Sequence, residues 1–371
     1  MKSSVTAFTW KLLPLVLFVM LFCNGCWDKK EFNQLAIAQT IAVDYEEEQY
    51  RLTVQLVMPA ASDEEISGDS MWLISGEGDS VAEALEQISR SAPRELYLAH
   101  LDIVLLGEGL LRHDISQGLE YFIKEDVLRR RTNLLAVEGA AGELLQAKLK
   151  LADVDIYYLR NLLRDQRQWV KNGDTVINDY YLAMDKQLPE GLVIPRIRTK
   201  DEKALYLDGA ALIQNNHLLC WMEQDWLDSY RWVTGGAEIR TLPDDKSHDA
   251  VTVEVRKDRC EWELVSAEPL QIRAKLKGKL LITENKLKNN VQSIEELEEF
   301  RRQIQQEMET ILKKEAEKDF ALLQQKGCDA LRLGRWLYAW HPELVHPEKW
   351  NSQFSQLQID VQIETAVRSD A

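Results

Sequence analysis

The sequence predicts a mixed α/β fold of the α+β kind, with mixed sheets and one long amphipathic helix in the C-terminal half. Strand-like runs alternate with helical patterns through the first half, which indicates strands joined by helices. The second half begins with a hairpin signal and contains a helix pattern from about Ser293 to Gln325, whose apolar residues recur close to every 3.6 positions. A hydrophobic content of 45 % is ordinary for a globular protein.

Strand and helix signals follow one another in the first half. The acidic turn Glu46-Glu47-Glu48 predicts a hairpin between the first two strands, and Ser80 with Glu83 three residues later predicts a helix start by a capping box. The predicted strands are Leu35–Asp44, Arg51–Met58, Met71–Ser75, Tyr97–Leu106 and Arg130–Val137. The predicted helices are one that begins after Ser80, Leu110–Lys124, Gly142–Leu149, Ala152–Trp169 and Thr175–Met184.

The second half opens with a hairpin, since Asn215-Asn216 separates the strand-like runs Ala204–Ile213 and Leu218–Met222. Further strands are predicted over Val251–Val255, Glu261–Val265, Leu270–Ile282 and Leu357–Ile363. Helices are predicted over Asp225–Thr234, the long segment from Ser293, and Asp329–Trp340. The single apolar stripe of the long helix fits either a helix that covers a sheet or one that docks a partner.

A domain boundary is predicted near residue 199. Pro189, Gly191 and Pro195 are followed there by a charged run, Arg198–Lys203, a pattern that is typical of a connection between domains. We therefore expect a signal peptide at residues 1–25, an N-terminal α/β region of one or two lobes at residues 26–198, and a C-terminal α/β domain at residues 199–371.

The first 25 residues have the layout of a secretory signal peptide. Lys2 and Lys11 precede the apolar run Leu12–Phe22, which is shorter than the roughly 20 residues that a membrane-spanning helix needs. Gly25 stands directly before Cys26, the pattern of a bacterial lipoprotein signal. This predicts cleavage between Gly25 and Cys26, a diacylglyceryl group on the Cys26 sulfur and acylation of its amine.

Two residues before the cleavage point depart from the usual lipoprotein pattern. Cys23 stands where leucine is common, and Asn24 is less usual than a smaller residue. Two alternatives therefore stay open: an ordinary cleaved signal with an unmodified Cys26, and an uncleaved amphipathic anchor. Two or three acyl chains would anchor the protein stably, since each buried methylene contributes about 0.8 kcal/mol.

The charge of the chain excludes several classes of partner. The chain has 61 acidic and 45 basic residues, a formal net charge of −16, and the predicted signal removes two lysines and no acids. Such a surface repels nucleic acid, which is bound by clustered lysine and arginine. It also repels anionic lipid headgroups, so we expect the lipid to hold the protein at the membrane while the folded body stands off the bilayer.

No pattern of an enzyme, a cofactor site or a metal site is found. His341 and His346 flank a proline and do not have the spacing of helical zinc ligands. Gly107-Glu108-Gly109 lacks the remaining residues of a phosphate-binding loop, and no serine has the flanking glycines of a nucleophile elbow. We therefore expect a non-catalytic protein without cofactor, metal or nucleic-acid partner, and no ligand-binding residue is assigned.

Three further groups of residues have two interpretations each. Arg129-Arg130-Arg131 is either a solvated or ion-paired strand start or a contact for an acidic partner. The tryptophans at 221, 226 and 232 either pack in the core or line a ligand pocket. Cys220, Cys260 and Cys328 are interpreted as small buried thiols, with a Cys220–Cys260 disulfide as the alternative, since three cysteines cannot all pair internally.

Several motifs together resemble a known family. They are Gly25-Cys26-Trp27-Asp28 with Glu31-Phe32-Asn33 and a strand that ends in Asp44; Asp208-Gly209-Ala210-Ala211 with Trp221 and Tyr230-Arg231-Trp232; and Cys328–Gly334 with Trp350 and Phe354. In this order they resemble the spore germination lipoproteins, the C subunits of nutrient germinant receptors. The chain departs from that family's pattern at Thr40-Ile41-Ala42 and at Cys220, where glycine is more usual.

The resemblance implies a three-domain α/β protein tethered by lipid to the outer face of the spore inner membrane. It also implies assembly with the A and B membrane subunits of a germinant receptor, with nutrient binding mainly in the B subunit and no enzymatic activity. A free-standing extracytoplasmic solute-binding lipoprotein is the alternative. A cell-wall hydrolase that uses two carboxylates is a third hypothesis, although the sequence gives no reason to choose any pair.

Overall fold

The computed structural model describes residues 34–57, 71–124, 129–146, 159, 161–163, 175–183, 188–200, 204–235, 237–243, 250–285 and 293–368. Gly25 and Cys26 lie outside these ranges, as does nearly all of the predicted helix Ala152–Trp169. Within them the chain folds into two β-sheets with packed helices, and the second part contains one long amphipathic helix. The predicted mixed α+β class is therefore confirmed.

In the described part of the chain the first sheet has ten strands. They are β1 (Leu35–Glu46), β2 (Gln49–Val57), β3 (Met71–Gly78), β4 (Glu95–Tyr97), β5 (Ile103–Gly107), β6 (Asn133–Val137), β7 (Thr175–Val176), β8 (Leu192–Lys200), β9 (Ala204–Gln214) and β10 (His217–Met222). The main path runs β10-β9-β8-β6-β5-β1-β2-β3, with β4 paired to β1 and β7 paired to β6.

The centre of this sheet is parallel and its two sides are antiparallel. Strands β1, β5, β6 and β8 run parallel, whereas β2–β3 and β9–β10 extend the sheet as antiparallel strands on either side. Parallel strands are normally covered on both faces, and the continuous apolar run of β5 agrees with this because all five of its residues are buried. The two hairpin turns, Glu47-Glu48 and Asn215-Asn216, have positive φ at both central residues.

Helices cover the first sheet and connect the second. They are α1 (Val81–Ser91), α2 (Glu108–His113), α3 (Ile115–Lys124), α4 (Ala141–Gln146), α5 (Ile177–Ala183), α6 (Gln224–Thr234), α7 (Ile294–Lys326), α8 (Leu333–Trp340) and α9 (Trp350–Gln356). The predicted cap of α1 is confirmed: Ser80 Oγ accepts from Glu83 N at 3.2 Å, and Glu83 accepts from Asp79 N at 3.0 Å.

Three predicted elements are divided in the structure. The strand Tyr97–Leu106 is interrupted by a turn in which Leu101 N donates to Leu98 O, so only its ends pair with β1. The helix Leu110–Lys124 breaks at Asp114, which is extended and accepts from Ser116 N at 2.7 Å. The helix Thr175–Met184 begins with the short strand β7. Hydrophobic periodicity did not reveal these breaks. The first two are fixed by local hydrogen bonds, and the third by the pairing of β7 with β6.

The first sheet continues across the predicted boundary at residues 198 and 199. Strand β8 lies on both sides of that boundary, and it pairs with β9 from Leu192–Ile213 to Lys200–Ala204. Hydrogen bonding of the sheet therefore extends to Met222 at the end of β10. We call residues 34–222 the first-sheet region and residues 223–368 the second-sheet region, while the division into domains stays a prediction.

The second sheet has four strands in the described chain, in the order β11 (Ala237–Pro243), β12 (Ala250–Ala267), β13 (Leu270–Asn285) and β14 (Gln358–Arg368). The predicted strands Val251–Val255 and Glu261–Val265 are one long strand, β12, with an irregularity between Lys257 and Arg259. Strand β14 runs parallel to β13, and α7, α8 and α9 supply the long connection that a parallel pair requires.

Helix α7 covers one face of the second sheet, as the first of its two interpretations proposed. Its buried residues Met308 and Leu312 lie in one apolar cluster with Val255, Leu276 and Val361 of the sheet. The helix begins at the cap Ser293, whose Oγ accepts from Glu296 N, and ends at Gly327, which has a positive φ of 63°.

The same helix also blocks the outer edge of the sheet. Glu309 accepts hydrogen bonds from Thr365 N at 2.7 Å and Thr365 Oγ1 at 3.0 Å. Gln305 Nε2 donates to Thr365 O at 2.7 Å. Both backbone groups of Thr365 are thereby used within the chain, which prevents another strand from pairing at the middle of β14.

We predict that Met308→Ala lowers the free energy of unfolding by about 2–5 kcal/mol, because its side chain is wholly buried between α7 and the second sheet. Urea unfolding followed by circular dichroism measures this loss. The matched control is Glu307→Ala on the exposed face of the same helix, with an expected change of about 0.5 kcal/mol or less. Equal losses in the two variants would contradict the packing described above.

Candidate functional site

A cleft of about 1130 Å³ lies between the first-sheet and second-sheet regions, and we call it the inter-sheet cleft. One wall comes from the first-sheet region, with Arg131 before β6, Asp179 of α5 and the beginning of β8. The other wall comes from the second-sheet region: the C-terminal end of α6, the segment 258–262 of β12 and the loop 330–332. The cleft therefore exists only because the two regions are held together.

The charge of this cleft differs from that of the chain. Its lining contains four arginines and two aspartates, whereas acidic residues exceed basic ones by 61 to 45 in the whole sequence. The arginines are Arg131, Arg231, Arg259 and Arg332, and the aspartates are Asp179 and Asp258. Tyr230 and Trp262 add aromatic surface. The cleft is thus a locally cationic, partly apolar surface on an acidic protein.

The loop that forms one rim of the cleft is fixed by the carboxylate of Asp329, whose side chain is wholly buried. It accepts hydrogen bonds from Leu333 N at 2.9 Å, Gly334 N at 2.7 Å and Trp350 Nε1 at 2.9 Å. Burial raises the pKa of Asp329, and these donors act in the opposite direction. The carboxylate joins the start of α8 to α9 and thereby holds in place the loop between α7 and α8, to which Asp329 belongs.

Asp329 also connects the two regions through its backbone. Gly191 N donates to Asp329 O at 3.1 Å, and a Cβ at Gly191 would lie 2.4 Å from Cys328 Sγ, so the close approach requires glycine. Next to it, the side chain of Glu190 is 1 % exposed and accepts from Arg335 Nε at 2.6 Å, with Arg332 Nε at 3.6 Å. Burial raises the pKa of Glu190, and the two arginines lower it.

A third buried charge, Arg196 of β8, joins the end of the first sheet to α6. Its guanidinium is fully buried, donates to Asp208 O at 2.7 Å and Glu223 Oε2 at 3.0 Å, and lies 5.3 Å from the ring of Trp221. This ion pair lowers the pKa of Glu223. The sequence interpretation missed this residue, although an arginine inside the apolar run Leu192–Ile197 is a signal of a paired buried charge.

A smaller cavity of about 410 Å³ lies between α6, α7 and β11. Asp319 of α7 is 2 % exposed there and accepts from Ser229 Oγ at 2.6 Å. Burial raises the pKa of Asp319 to about 7; Glu315 adds to this shift, whereas Ser229 and the cations of Lys318 and Arg240 oppose it. Asp319 is therefore a buried carboxyl group that gains or loses its proton near neutral pH.

The structure describes some of the candidate residues named from the sequence and not others. Gly25 and Cys26 are outside the described residues, so cleavage and lipid attachment stay predictions. The three arginines 129–131 are all exposed, which agrees with the solvated interpretation. Arg129 contacts His100 Nδ1 at 2.8 Å and Arg130 donates to Asn178 at 3.2 Å, whereas Arg131 lines the inter-sheet cleft.

The three tryptophans lie in different surroundings, and the three cysteines differ in burial. Trp232 is buried in the core, Trp221 stacks near Arg196, and Trp226 lines the smaller cavity. The Cys220–Cys260 disulfide is not formed, since both thiols are free. Of the three cysteines that the structure describes, only Cys328 is fully buried, and burial raises the pKa of its thiol to about 12. Cys220 and Cys260 are half-buried, so the expectation of three buried thiols was wrong for these two.

The described residues also bear on metal binding and on membrane spanning. They contain no cluster of three or more histidine, cysteine or acidic side chains placed to hold a metal ion. No helix among them is both long enough and apolar enough to cross a bilayer.

Two families match successive parts of the chain. The spore germination protein N-terminal domain matches residues 28–199, and the spore germination B3/GerAC-like C-terminal domain matches residues 208–370. The two matches follow each other in chain order, begin two residues after Cys26, and together extend over nearly all of the sequence that follows it.

Full-length relatives and a solved structure agree with these matches. Spore germination protein B3 of Bacillus subtilis (strain 168) is 27 % identical, over 91 % of this chain and 90 % of that protein. Spore germination protein KC of the same organism is 23 % identical, over 96 % of this chain and 95 % of that protein. The crystal structure of the GerBC protein has the same fold, with a TM-score of 0.55, 21 % identity, and coverage of 91 % of this chain and 99 % of that one.

We predict that Asp319 makes the protein less stable as the pH rises from about 4 to about 7. The native state keeps the proton up to its raised pKa, whereas the unfolded state loses it near 3.8, so the native state binds more protons in this window. The contribution of Asp319 to unfolding free energy should fall by about 1.4 kcal/mol per pH unit there. Urea unfolding of the parent and of Asp319→Asn at several pH values measures it.

The Asp319→Asn variant isolates this residue because the other titrating groups are the same in both proteins. The difference in unfolding free energy between variant and parent should change with pH between about 4 and 7 and level off above the raised pKa. A difference that is constant over the whole range would show that Asp319 titrates normally in the native state.

Proposed function

This chain belongs to the GerAC family of spore germination proteins, and we propose that it is the lipid-anchored C subunit of a nutrient germinant receptor. The observation that carries the proposal is the extent of the family match. The N-terminal family domain begins at Asp28, and the C-terminal domain ends one residue before the end of the chain. Both regions of a family member are therefore present, in order, directly after the predicted attachment residue Cys26.

The proposed anchor is the lipid on Cys26. Residues 1–25 precede the family match and carry the signal layout, so cleavage before Cys26 would leave both matched family domains attached to the lipid. A diacylglyceryl group with an N-acyl chain is sufficient for stable membrane binding, since a second chain converts marginal into stable anchoring. We place the protein on the outer face of the spore inner membrane.

We further propose that the protein acts by contact with the A and B membrane subunits and not by catalysis. The buried charges that the structure describes have structural partners: Asp329 holds a loop and two helices, and Glu190 and Arg196 join neighbouring elements. Their role is to fix the two regions relative to each other. Such an arrangement suits a subunit that supports assembly and transmits the germination signal.

The inter-sheet cleft is the observation that favours the alternative of a free-standing extracytoplasmic solute-binding lipoprotein. A volume of about 1130 Å³ is sufficient for a small solute, and the cleft lies between two regions. A bound solute would raise the melting temperature, because binding adds RT ln(1 + [L]/Kd) to stability. The chain would be purified from cells that lack A and B subunits. A rise in its melting temperature on addition of a nutrient amino acid or sugar would support this alternative.

We predict that Cys26→Ala abolishes lipid labelling of the protein, because the sulfur of Cys26 is the proposed attachment atom. Cells of the parent and the variant are grown with a radiolabelled or clickable fatty acid, and the protein is isolated and examined for label. Cys23→Ala is the matched control in the same signal segment and should keep its label. Label that persists in Cys26→Ala would contradict the proposed anchor.

We also predict that deletion of the gene abolishes germination in response to the nutrients that its receptor detects, while spores still germinate with triggers that bypass nutrient receptors. The loss of absorbance of a spore suspension measures both responses. Complementation with the parent gene is the control. A mutant that keeps its full response to every nutrient mixture tested would contradict the proposed role.

A further inference from the structure

The inter-sheet cleft is open and has a mixed surface. Its volume of about 1130 Å³ exceeds the range of about 300–1,000 Å³ that is usual for small-molecule pockets. Its lining contains apolar and aromatic side chains, among them Leu227, Tyr230, Trp262 and Leu331, together with charged ones. An open groove of this size and composition suits an extended stretch of polypeptide better than a compact solute.

Each aspartate of the cleft is already paired with a cationic side chain of the same chain. Asp258 Oδ1 lies 2.9 Å from Lys279 Nζ, which lowers the pKa of Asp258. Asp179 Oδ1 lies 3.6 Å from Arg332 Nη2. The acidic groups in the lining therefore do not cancel the remaining arginines, and the cleft keeps a positive surface.

Two arginines on opposite walls are available to a carboxylate from outside. Arg131 is exposed, and no carboxylate in the part of the chain that the structure describes lies within salt-bridge distance of it. The side chain of Arg259 is 61 % exposed, and its partner Glu261, at 3.0 Å, is also exposed, so water screens that pair. A guanidinium can accept a carboxylate in a planar, bidentate arrangement, which favours Asp and Glu as its ligands.

The C-terminal end of α6 opposes an acidic ligand, because its partial charge is negative. The size of this charge can be compared with the charge of the arginines. The C-terminal end of α6 lines the cleft at Val233, Thr234 and Gly235, and a helix end carries about half a negative elementary charge. Arg231 in the last turn of the same helix carries a full positive charge and also lines the cleft. Because Arg231 also lies 3.9 Å from Asp228 of the same helix, it offsets the helix end only in part, and the positive surface of the cleft rests on Arg131 and Arg259.

We infer that the inter-sheet cleft receives an extended segment of a partner protein that carries acidic residues among apolar ones. Its carboxylates would pair with Arg131 and Arg259 on the two walls, and its apolar side chains would lie against Tyr230 and Trp262. The inference rests on the proposed receptor role in one respect, since a receptor subunit has partner chains that can supply such a segment. The chemistry of the cleft can be tested without those partners.

The probe is a fluorescein-labelled eight-residue peptide of alternating glutamate and leucine, with alternating lysine and leucine as its counterpart. Fluorescence anisotropy measures its binding to the full chain in detergent. A formal net charge of −16 repels a polyglutamate-type peptide at long range, so binding of the acidic probe reports a local positive site. We expect the acidic peptide to bind, more weakly as salt is raised, and the basic peptide not to bind at the cleft.

Charge reversals place the binding in the cleft. Arg131→Glu and Arg259→Glu should each raise the dissociation constant of the acidic peptide at least about tenfold. The matched control is Arg256→Glu, on the same strand as Arg259, with a similar exposure of 55 % and an acidic neighbour, Glu254, at 2.6 Å. Arg256 does not line the cleft, so this variant should change the constant by less than about twofold.

Three results would overturn the inference: no binding of the acidic peptide, equal binding by all variants, or full competition by free glutamate with the same variant pattern. The last result would show a small-molecule site instead of a segment site. Arg131→Gln and Arg259→Gln, with unchanged melting temperatures, exclude misfolding as the cause of lost binding. Lipid labelling and spore germination are measured separately, so failure of the peptide to bind leaves the proposed receptor role intact, and the reverse also holds.

Discussion

The buried carboxylate of Asp329 fixes the loop through which the second-sheet region is hydrogen-bonded to the first-sheet region. An unpaired charge in the interior is very costly, and this one is compensated by three donors from α8 and α9. The same residue accepts a hydrogen bond from Gly191 through its backbone carbonyl. The loop that follows α7 is therefore fixed through the side chain of Asp329. The backbone carbonyl of the same residue attaches the first-sheet region to this loop.

The other buried charges lie at the same junction between the first-sheet and second-sheet regions. Glu190 pairs with two arginines of the second-sheet region, and Arg196 connects β8 with the start of α6. Removing one partner of such a pair costs more than the pair contributes, because the remaining charge stays buried. Glu190 and Arg196 are each adjacent in the chain to a residue that lines the inter-sheet cleft, Gly191 and Pro195. These buried charges therefore support the wall of the cleft from behind its surface.

The class of most elements could be predicted from the sequence, because hydrophobic periodicity reports which face of a helix or strand is buried. Strands β7, β8 and β11 and helix α9 were not predicted. The hairpin turns, the cap at Ser80 and the apolar stripe of α7 are local patterns of this kind. The breaks at Asp114 and in the predicted strand Tyr97–Leu106 could not be predicted so well, since they depend on hydrogen bonds formed at single residues. The candidate site was predicted least. Arg131 was named as a possible contact, Arg231 and Arg332 appeared only as parts of family motifs, and Arg259 was not named, because nothing local places them on one cleft.

The sequence by itself determined the fold class, the signal layout that ends at Cys26, the acidic surface and the family, because composition, spacing and periodicity are properties of the linear chain. Tertiary structure alone decided that β8, β9 and β10 extend the first sheet beyond residue 199, and that β12 is one strand. It also decided which charges are buried and which arginines face each other across the cleft. Those features join residues that are far apart in the chain, such as Glu190 with Arg335, so no local pattern encodes them.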